Sequence, residues 1–204
     1  GPVKNKPIQL PNGDILSGSS TDHDGWRVHF ERSVDQGKTW TATEPVNDGK
    51  QIRAIQPSLL RYADGSIQAL GRTRNSGIFE IWSRDEGRTW EPMGLTGLPN
   101  PSAGTDAVTL ADGRQLLVYN HNPEYRGRSP LNVAVSRDGK TWEAALTLED
   151  DPGQGYAYPA VIQSKDGLVH VFYTWRRLRM KHVVIDPRLL STQPIVDGQW
   201  PSGD

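Results

Sequence analysis

The sequence predicts an all-β protein built from repeated four-stranded antiparallel units, and two sets of repeats carry that prediction. The first is an octet: SVDQGKTW at 33–40, SRDEGRTW at 83–90 and, one residue shorter, SRDGKTW at 136–142. The second is an extended segment that ends in an NG or DG turn: KNKPIQLPNG (4–13), QPSLLRYADG (56–65), GTDAVTLADG (104–113) and YPAVIQSKDG (158–167). NG and DG are strong hairpin signals, and a strand-like stretch leaves each of them. Units of four strands that repeat about every fifty residues indicate a β-propeller.

The repeats divide the 204 residues into about four blades, approximately 1–50, 51–100, 101–150 and 151–204. We expect them to form one propeller domain, or the C-terminal part of one, because a chain of this length need not contain more than one domain.

Each octet is predicted to be a hairpin loop. Its aspartate (Asp35, Asp85 or Asp138) is expected to accept backbone N–H groups, and its glycine supplies a positive φ. Its tryptophan would start the next strand and cover the sheet. A catalytic or metal-binding role for these aspartates is disfavoured, because a feature made three times at equal spacing serves the scaffold.

The composition excludes several classes of function. The net charge is −1, so there is no overall basic field for nucleic acid. No stretch has the length of a membrane span, cysteine is absent, and no His and carboxylate spacing suggests a metal site. No glycine loop suited to a phosphate or nucleotide is present, so we expect no cofactor. Sixteen of the 23 cationic residues are arginines, which suit two-pronged capture of carboxylates.

The octet has the consensus S-x-D-x-G-x-T-W, known as the Asp box, and with it the chain resembles the sialidase (neuraminidase) superfamily of BNR-repeat proteins over essentially its whole length. The resemblance implies a six-bladed propeller whose N-terminal blades are missing here. We therefore expect either a fragment of a longer chain or two copies that close the ring, because open sheet edges invite pairing.

A gapless alignment of the blades nominates the residues of the central funnel. The innermost strands are predicted to start at Lys4, Gln56, Gly104 and Tyr158. Two positions further along these strands stand Lys6, Ser58, Asp106 and Ala160. The second strands are predicted to end at Ser20, Arg72, Asn120 and Thr174. These residues are mostly polar where a plain core strand would be apolar, which favours a site.

The resemblance implies roles for some of these residues. Arg72 and Arg128, with Arg126 as an alternative, would hold the carboxylate of an acidic sugar. Tyr158, with Tyr156 as the alternative, would be the nucleophile of a retaining hydrolysis.

Two positions depart from the family pattern. Gln56 stands where the family has the glutamate that deprotonates the tyrosine, and Thr174 replaces a second glutamate. Asp106 is a candidate acid/base or tyrosine activator, and its alternative role is to pair with a cation. Because Gln56 cannot accept a proton, we expect weak or no sialidase activity from this chain alone.

Further candidates lie beside the funnel. His121 would bind or protonate the substrate next to Asn120, and Trp175, Arg176 and Arg177 would form a platform for an acidic sugar. His170 alternates with apolar residues and is expected to be structural.

Three functions remain open. The first is a sialidase-like glycoside hydrolase that acts on an acidic terminal sugar. The second is a lyase acting on uronate glycans, in which Arg72, His121 and Tyr158 would act together. The third is a carbohydrate-binding propeller that has lost catalysis. Loss of catalysis would explain why Gln56 stands where the family has a glutamate. An acidic glycan is the expected partner in each case, and the compartment stays open, although secretion or the periplasm would suit glycan degradation.

Overall fold

The computed structural model describes residues 4–201 and shows an all-β propeller of four antiparallel sheets. The first sheet contains, in spatial order, β1 (Ile8–Gln9), β2 (Ile15–Thr21), β3 (Arg27–Ser33) and β4 (Thr41–Ala42). The second contains β5 (Ala54–Arg61), β6 (Ile67–Thr73), β7 (Gly77–Ser83) and β8 (Gly94–Pro99).

The third and fourth sheets depart from the four-stranded pattern. The third contains β9 (Asp106–Thr109), β10 (Gln115–Tyr119), β11 (Leu131–Ser136) and β12 (Trp142–Glu149). The fourth has three strands: β13 (Tyr156–Gln163), β14 (Val169–Trp175) and β15 (Arg179–Ile185). After a single 3-10 turn (Pro187–Leu189) the chain returns, and β16 (Gln193–Pro194) pairs with β12 as a fifth strand of the third sheet.

The Asp boxes form the predicted hairpin loops. In the first, Ser33 Oγ accepts the Gly37 amide at 2.7 Å, and the Asp35 carboxylate accepts the Thr39 amide at 2.9 Å and the Thr39 hydroxyl at 2.6 Å. These bonds, with that from the Thr39 hydroxyl as the largest cause, lower the pKa of Asp35 to about 2. The Asp35 carboxylate is therefore engaged in hydrogen bonds within its own turn, as expected for a structural role.

The core lies between neighbouring sheets, and the middle strands face both ways because side chains alternate along a strand. Ile67 and Ala69 of β6 pack in the cluster shared with the first sheet, whereas Leu70 packs in the cluster shared with the third. In β10, Leu117 packs toward the second sheet and Val118 toward the fourth. β6 and β10 are thus buried on both faces.

One face of the fourth sheet lacks such a neighbour among residues 4–201. Leu70, Val118 and Phe172 each stand five residues past the turn glycine of their sheet, yet the first two are 0 % exposed and Phe172 is 43 % exposed. Ile162 and Val184 flank it on the same face, at 52 % and 49 % exposure. His170 lies there too and meets His182 at 3.0 Å. The described residues thus leave an apolar blade surface open.

Candidate functional site

One residue from the inner part of each of the four repeats meets the others at one point of the molecule, two of them within β5 and β13 and two just ahead of β1 and β9. A methyl group built on Gly104 would lie 2.9 Å from Lys4 Cε, 3.1 Å from Tyr158 Cδ1 and 3.4 Å from Gln56 Oε1. The structure thus brings together Lys4, Gln56, Gly104 and Tyr158, which we call the axial cluster. Gly104 leaves the space that the other three side chains use, so any larger residue there would displace them.

Two members of the axial cluster sit on bulges of their strands. The ladder between β5 and β6 shifts register between Ile55 and Ser58, and that between β13 and β14 shifts between Ala157 and Ala160. Within these bulges Gln56 has φ 60° and Tyr158 has φ 53°. Left-handed backbone is uncommon for residues other than glycine and concentrates at functional sites. The bulges turn both side chains toward the axis. Neither bulge contains a glycine at its positive-φ position, so the sequence does not predict them.

Two arginines flank the Tyr158 ring, which is 46 % exposed. The guanidinium carbon lies 5.2 Å from the ring centroid for Arg128 and 6.0 Å for Arg72. Burial lowers the pKa of Arg72; the Tyr158 hydroxyl opposes that shift and the charge of Arg128 adds to it. Arg128 Nη1 and Arg72 Nε are buried and lack a hydrogen-bond partner among the described residues. Two partly desolvated cations therefore share one place, which favours an anionic guest.

Trp26 belongs to this site, although sequence reasoning missed it. Its ring lies 5.0 Å from the guanidinium carbon of Arg72 and 4.3 Å from that of Arg74, and its φ is 64°. Arg72 is thus held between the rings of Trp26 and Tyr158, while its Nη1 donates to the Ser102 carbonyl at 3.1 Å. The sequence signal for this role is a tryptophan immediately before β3, and it is not distinctive, because Trp40 likewise comes immediately before β4.

Lys4 ties the floor of the site together. Its ammonium group donates to the carbonyls of Thr105 at 2.5 Å and Pro159 at 3.0 Å, on the third and fourth sheets. Burial lowers its pKa to about 8, although the Asp106 carboxylate acts in the opposite direction. Lys4 therefore carries a costly charge at the floor of the funnel.

Asp106 lies beneath the axial cluster and is 3 % exposed. One carboxylate oxygen accepts from Asn5 Nδ2 and Ser58 Oγ, each at 3.0 Å, and the other accepts from Lys6 Nζ and the Val161 amide, each at 2.8 Å. These four donors come from the N-terminal segment and from the second and fourth sheets. Asp106 thus joins several blades, and its contact with Lys6 is a pairing with a cation, the alternative role that the sequence leaves open.

The structure does not bring His121 to the axial cluster. Its Nε2 lies 2.9 Å from the Gly198 carbonyl, which only accepts, so Nε2 carries the proton. Nδ1 then accepts from the Tyr119 hydroxyl at 2.6 Å. Burial lowers the pKa of His121 and so favours this neutral form. Both nitrogens are engaged with the protein, against the C-terminal segment.

Other nominated residues hold neighbouring strands. Asn120 is 0 % exposed and donates to the carbonyls of Pro130 at 2.8 Å and Tyr156 at 3.1 Å. Tyr156, the alternative nucleophile, is also 0 % exposed, and its hydroxyl donates to Asp151 at 3.3 Å. The Thr174 hydroxyl lies 3.8 Å from the sulfur of Met180.

The arginines at the rim are placed differently from Arg72. Arg126, the alternative carboxylate ligand, is exposed and stacks on Tyr125 with 5.2 Å between guanidinium carbon and ring. Arg176 pairs with Asp151 and lies 4.3 Å from the ring of Trp175, whose other neighbour is Arg179 at 4.5 Å. The Trp175 ring thus already contacts two guanidinium groups of the same chain.

Within residues 4–201 no group of three or more His, Asp or Glu side chains is placed to hold a metal ion. In the same part of the chain, no helix has the length and apolar character needed to cross a membrane.

Solved structures with the same architecture include sialidases and trans-sialidases. The intramolecular trans-sialidase of Ruminococcus gnavus, in complex with oseltamivir carboxylate, matches with a TM-score of 0.73 and 21 % identity over 92 % of this chain and 44 % of its own. NanB sialidase of Streptococcus pneumoniae (K499G mutant) gives 0.71 and 20 %, over 91 % of this chain and 31 % of its own. The leech intramolecular trans-sialidase, complexed with 2,7-anhydro-Neu5Ac, gives 0.71 and 20 %, over 88 % and 30 %. These identities show a shared fold, and this chain spans less than half the length of those proteins.

No curated protein matches the sequence significantly. The family model for the BNR repeat-like domain matches residues 1–171. The chain therefore belongs to the BNR repeat-like domain family.

Proposed function

We propose that this chain carries a sialidase-like site that binds a terminal sugar bearing a carboxylate. The observation that carries the proposal is the pair of guanidiniums, those of Arg72 and Arg128, on the ring of the exposed Tyr158. Among the described residues, neither arginine forms an ion pair with a carboxylate of the protein, so both can receive one from a ligand. Arginine–carboxylate hydrogen bonds are charge-assisted and often two-pronged, which gives both affinity and orientation.

In this arrangement the carboxylate of the sugar lies between the arginines and the Tyr158 hydroxyl faces the anomeric carbon. A neutral phenol is a suitable nucleophile at a carbon that bears a carboxylate, because an anionic one would be repelled. The ligands bound in the structures of two similar proteins, oseltamivir carboxylate and 2,7-anhydro-Neu5Ac, agree with a site of this chemistry.

Catalysis also needs a base to take the proton of Tyr158. Gln56 stands beside that ring, and an amide does not accept the proton of a phenol. The carboxylate of Asp106 is already used by four donors. We therefore infer binding with little or no hydrolysis by these residues alone. A lyase using His121 is disfavoured because both ring nitrogens of that residue are engaged elsewhere.

The test is calorimetric titration with a sialylated trisaccharide, followed by mass spectrometry of the products. We expect binding that Arg72→Gln weakens at least tenfold, and no product or a slow release of sugar with the mass of one added water. A product lighter by one water than the free sugar would come either from elimination or from internal attack by a hydroxyl of the sugar, and the vinyl proton in its NMR spectrum would identify elimination. Absence of binding would overturn the proposal. Gln56→Glu is the informative gain-of-function variant: a rise in hydrolysis that Tyr158→Phe abolishes would identify the tyrosine as the nucleophile.

The open apolar face of the fourth sheet supports a second proposal, self-association. A blade from another copy of this chain would cover Ile162, Phe172 and Val184, as the third sheet covers Leu70. Covering such a face is favourable by about 25 cal/mol for each Å² of apolar surface removed from water.

A further inference from the structure

A groove of about 620 Å³ adjoins the candidate sugar site between the loops of the third and fourth sheets. Arg128 joins the two places, since it lines the groove and also flanks the Tyr158 ring. The other charged residues that line the groove are Glu124, Arg126, Asp150, Arg176 and Arg177. Four cations thus face two anions, in a chain whose net charge is −1. The groove is therefore a locally positive surface next to the sugar site.

Two of these arginines stand in an unfavourable turn. Arg176 and Arg177 connect β14 to β15 with φ values of 53° and 58°, and the Leu178 amide donates to the Trp175 carbonyl at 3.0 Å. Positive φ at both central residues is the conformation of a type I′ turn, for which Asn-Gly is strongly preferred. A consecutive pair of arginines there is strained, and strain of this kind concentrates at functional sites.

The guanidiniums are also not all neutralised. Arg176 pairs with Asp151, and Arg126 stacks on Tyr125. No ion pair or hydrogen bond within residues 4–201 engages the side chain of Arg177, which is exposed. Arg128 Nη1 is buried without a partner. Arg177 and Arg128 are thus both available to a ligand. Arg177 lies at the rim of the groove, and Arg128 lies beside the proposed sugar site.

The geometry points to a second anionic subsite, in which Arg177 and Arg126, continuing from Arg128, bind a carboxylate or sulfate on the sugar next to the terminal acidic one. This inference rests on the proposed function, because it uses the same bound sugar as its first anchor. It names the ligand class: a glycan with at least two neighbouring anionic groups rather than one.

The turn offers a variant that removes the arginines without damaging the fold. Replacing Arg176-Arg177 by Asn-Gly, in the double variant Arg176→Asn, Arg177→Gly, gives the turn its preferred residues and should raise the Tm by about 2–4 °C. The same variant should lose about tenfold in affinity for a doubly anionic glycan and less than twofold for a singly anionic one. Gain of stability with selective loss of binding is a result that a purely structural role for the two arginines would not give.

The probes are a sialyl trisaccharide, the same trisaccharide sulfated on the penultimate sugar, and a glycan ending in two consecutive sialic acids, each titrated by calorimetry at fixed salt. Arg188→Gln is the control. Arg188 is an exposed arginine that pairs with Asp186 outside the groove, so the substitution removes a positive charge without changing the groove. Tighter binding of either dianionic probe, lost in the Asn-Gly variant and kept in the control, supports the subsite, and which probe binds tighter separates sulfate from carboxylate. Equal affinity for all three probes overturns the subsite and leaves the proposed function standing, whereas no Arg72-dependent binding of any probe overturns the proposed function itself.

Discussion

Replacing Asp106 by asparagine should destabilise the propeller without removing the sugar site. The carboxylate accepts four hydrogen bonds, from Asn5, Lys6, Ser58 and the Val161 amide. Asparagine keeps one accepting oxygen and therefore two of these bonds. The new side-chain NH2 group then faces two donors, the Lys6 ammonium and the Val161 amide. In the flipped orientation it faces the Asn5 amide and the Ser58 hydroxyl instead.

The magnitude follows from the bonds that are lost. A hydrogen bond to a charged group contributes about 1.5–3 kcal/mol, and a buried donor left unpaired adds to the cost. The side chain of Lys6 is 33 % exposed, so water replaces part of its lost interaction and the contribution of that pair is discounted. We expect a loss of about 3 kcal/mol in the free energy of unfolding and a fall in Tm of about 6–12 °C.

Urea unfolding followed by tryptophan fluorescence measures this change directly, with Asp112→Asn as the control because Asp112 pairs with Arg114 at an exposed turn. Sugar binding at a temperature where both proteins are folded should be within twofold of the unmodified chain. An Asp106→Asn variant of normal stability that no longer binds or turns over its ligand would refute the structural role and restore the acid/base reading.

Other predictions concern the floor of the funnel and the open face. Because the pKa of Lys4 is about 8 in the folded chain and near 10.5 in the unfolded one, the unfolded chain binds more protons between those values, and stability should rise from pH 8 to pH 10.5 by up to about 3 kcal/mol. Lys4→Met should flatten that rise in urea titrations across the pH range, and an identical rise in both proteins would show that other groups cause it. If two copies close the ring, sedimentation should show a dimer that Phe172→Glu dissociates. A monomer at every concentration would instead exclude the second copy as the occupant of that face.

The axial cluster shows what sequence repeats can predict. Lys4, Gln56, Gly104 and Tyr158 each stand nine residues before the glycine of an NG or DG turn, and the structure brings them within contact distance of one point. This works because a propeller repeats its geometry around an axis, so equal positions in the repeat become neighbours in space.

Other parts of the site depend on features that the repeats do not carry. The bulges at Gln56 and Tyr158 place non-glycine residues at positive φ, against local preference, so only the tertiary structure maintains them. The sequence predicts His121 beside the funnel residue Asn120, but in the structure its partner is Gly198, 77 residues away on a segment that returns to the third sheet. The four donors of Asp106 likewise come from separate parts of the chain, and no local pattern reveals their convergence.

We propose that Arg72 and Arg128 hold the carboxylate of a sugar over Tyr158. The most direct test compares the affinity of a sialyl trisaccharide with that of its methyl ester, which has the same shape without the charge. Arg74→Gln is the control for Arg72→Gln, because Arg74 also contacts the Trp26 ring but does not flank Tyr158. We predict that the free acid binds about 100-fold more tightly than the ester, and that Arg72→Gln, but not Arg74→Gln, removes most of that difference. Equal binding of acid and ester, or an unchanged preference in Arg72→Gln, would show that Arg72 does not hold the carboxylate.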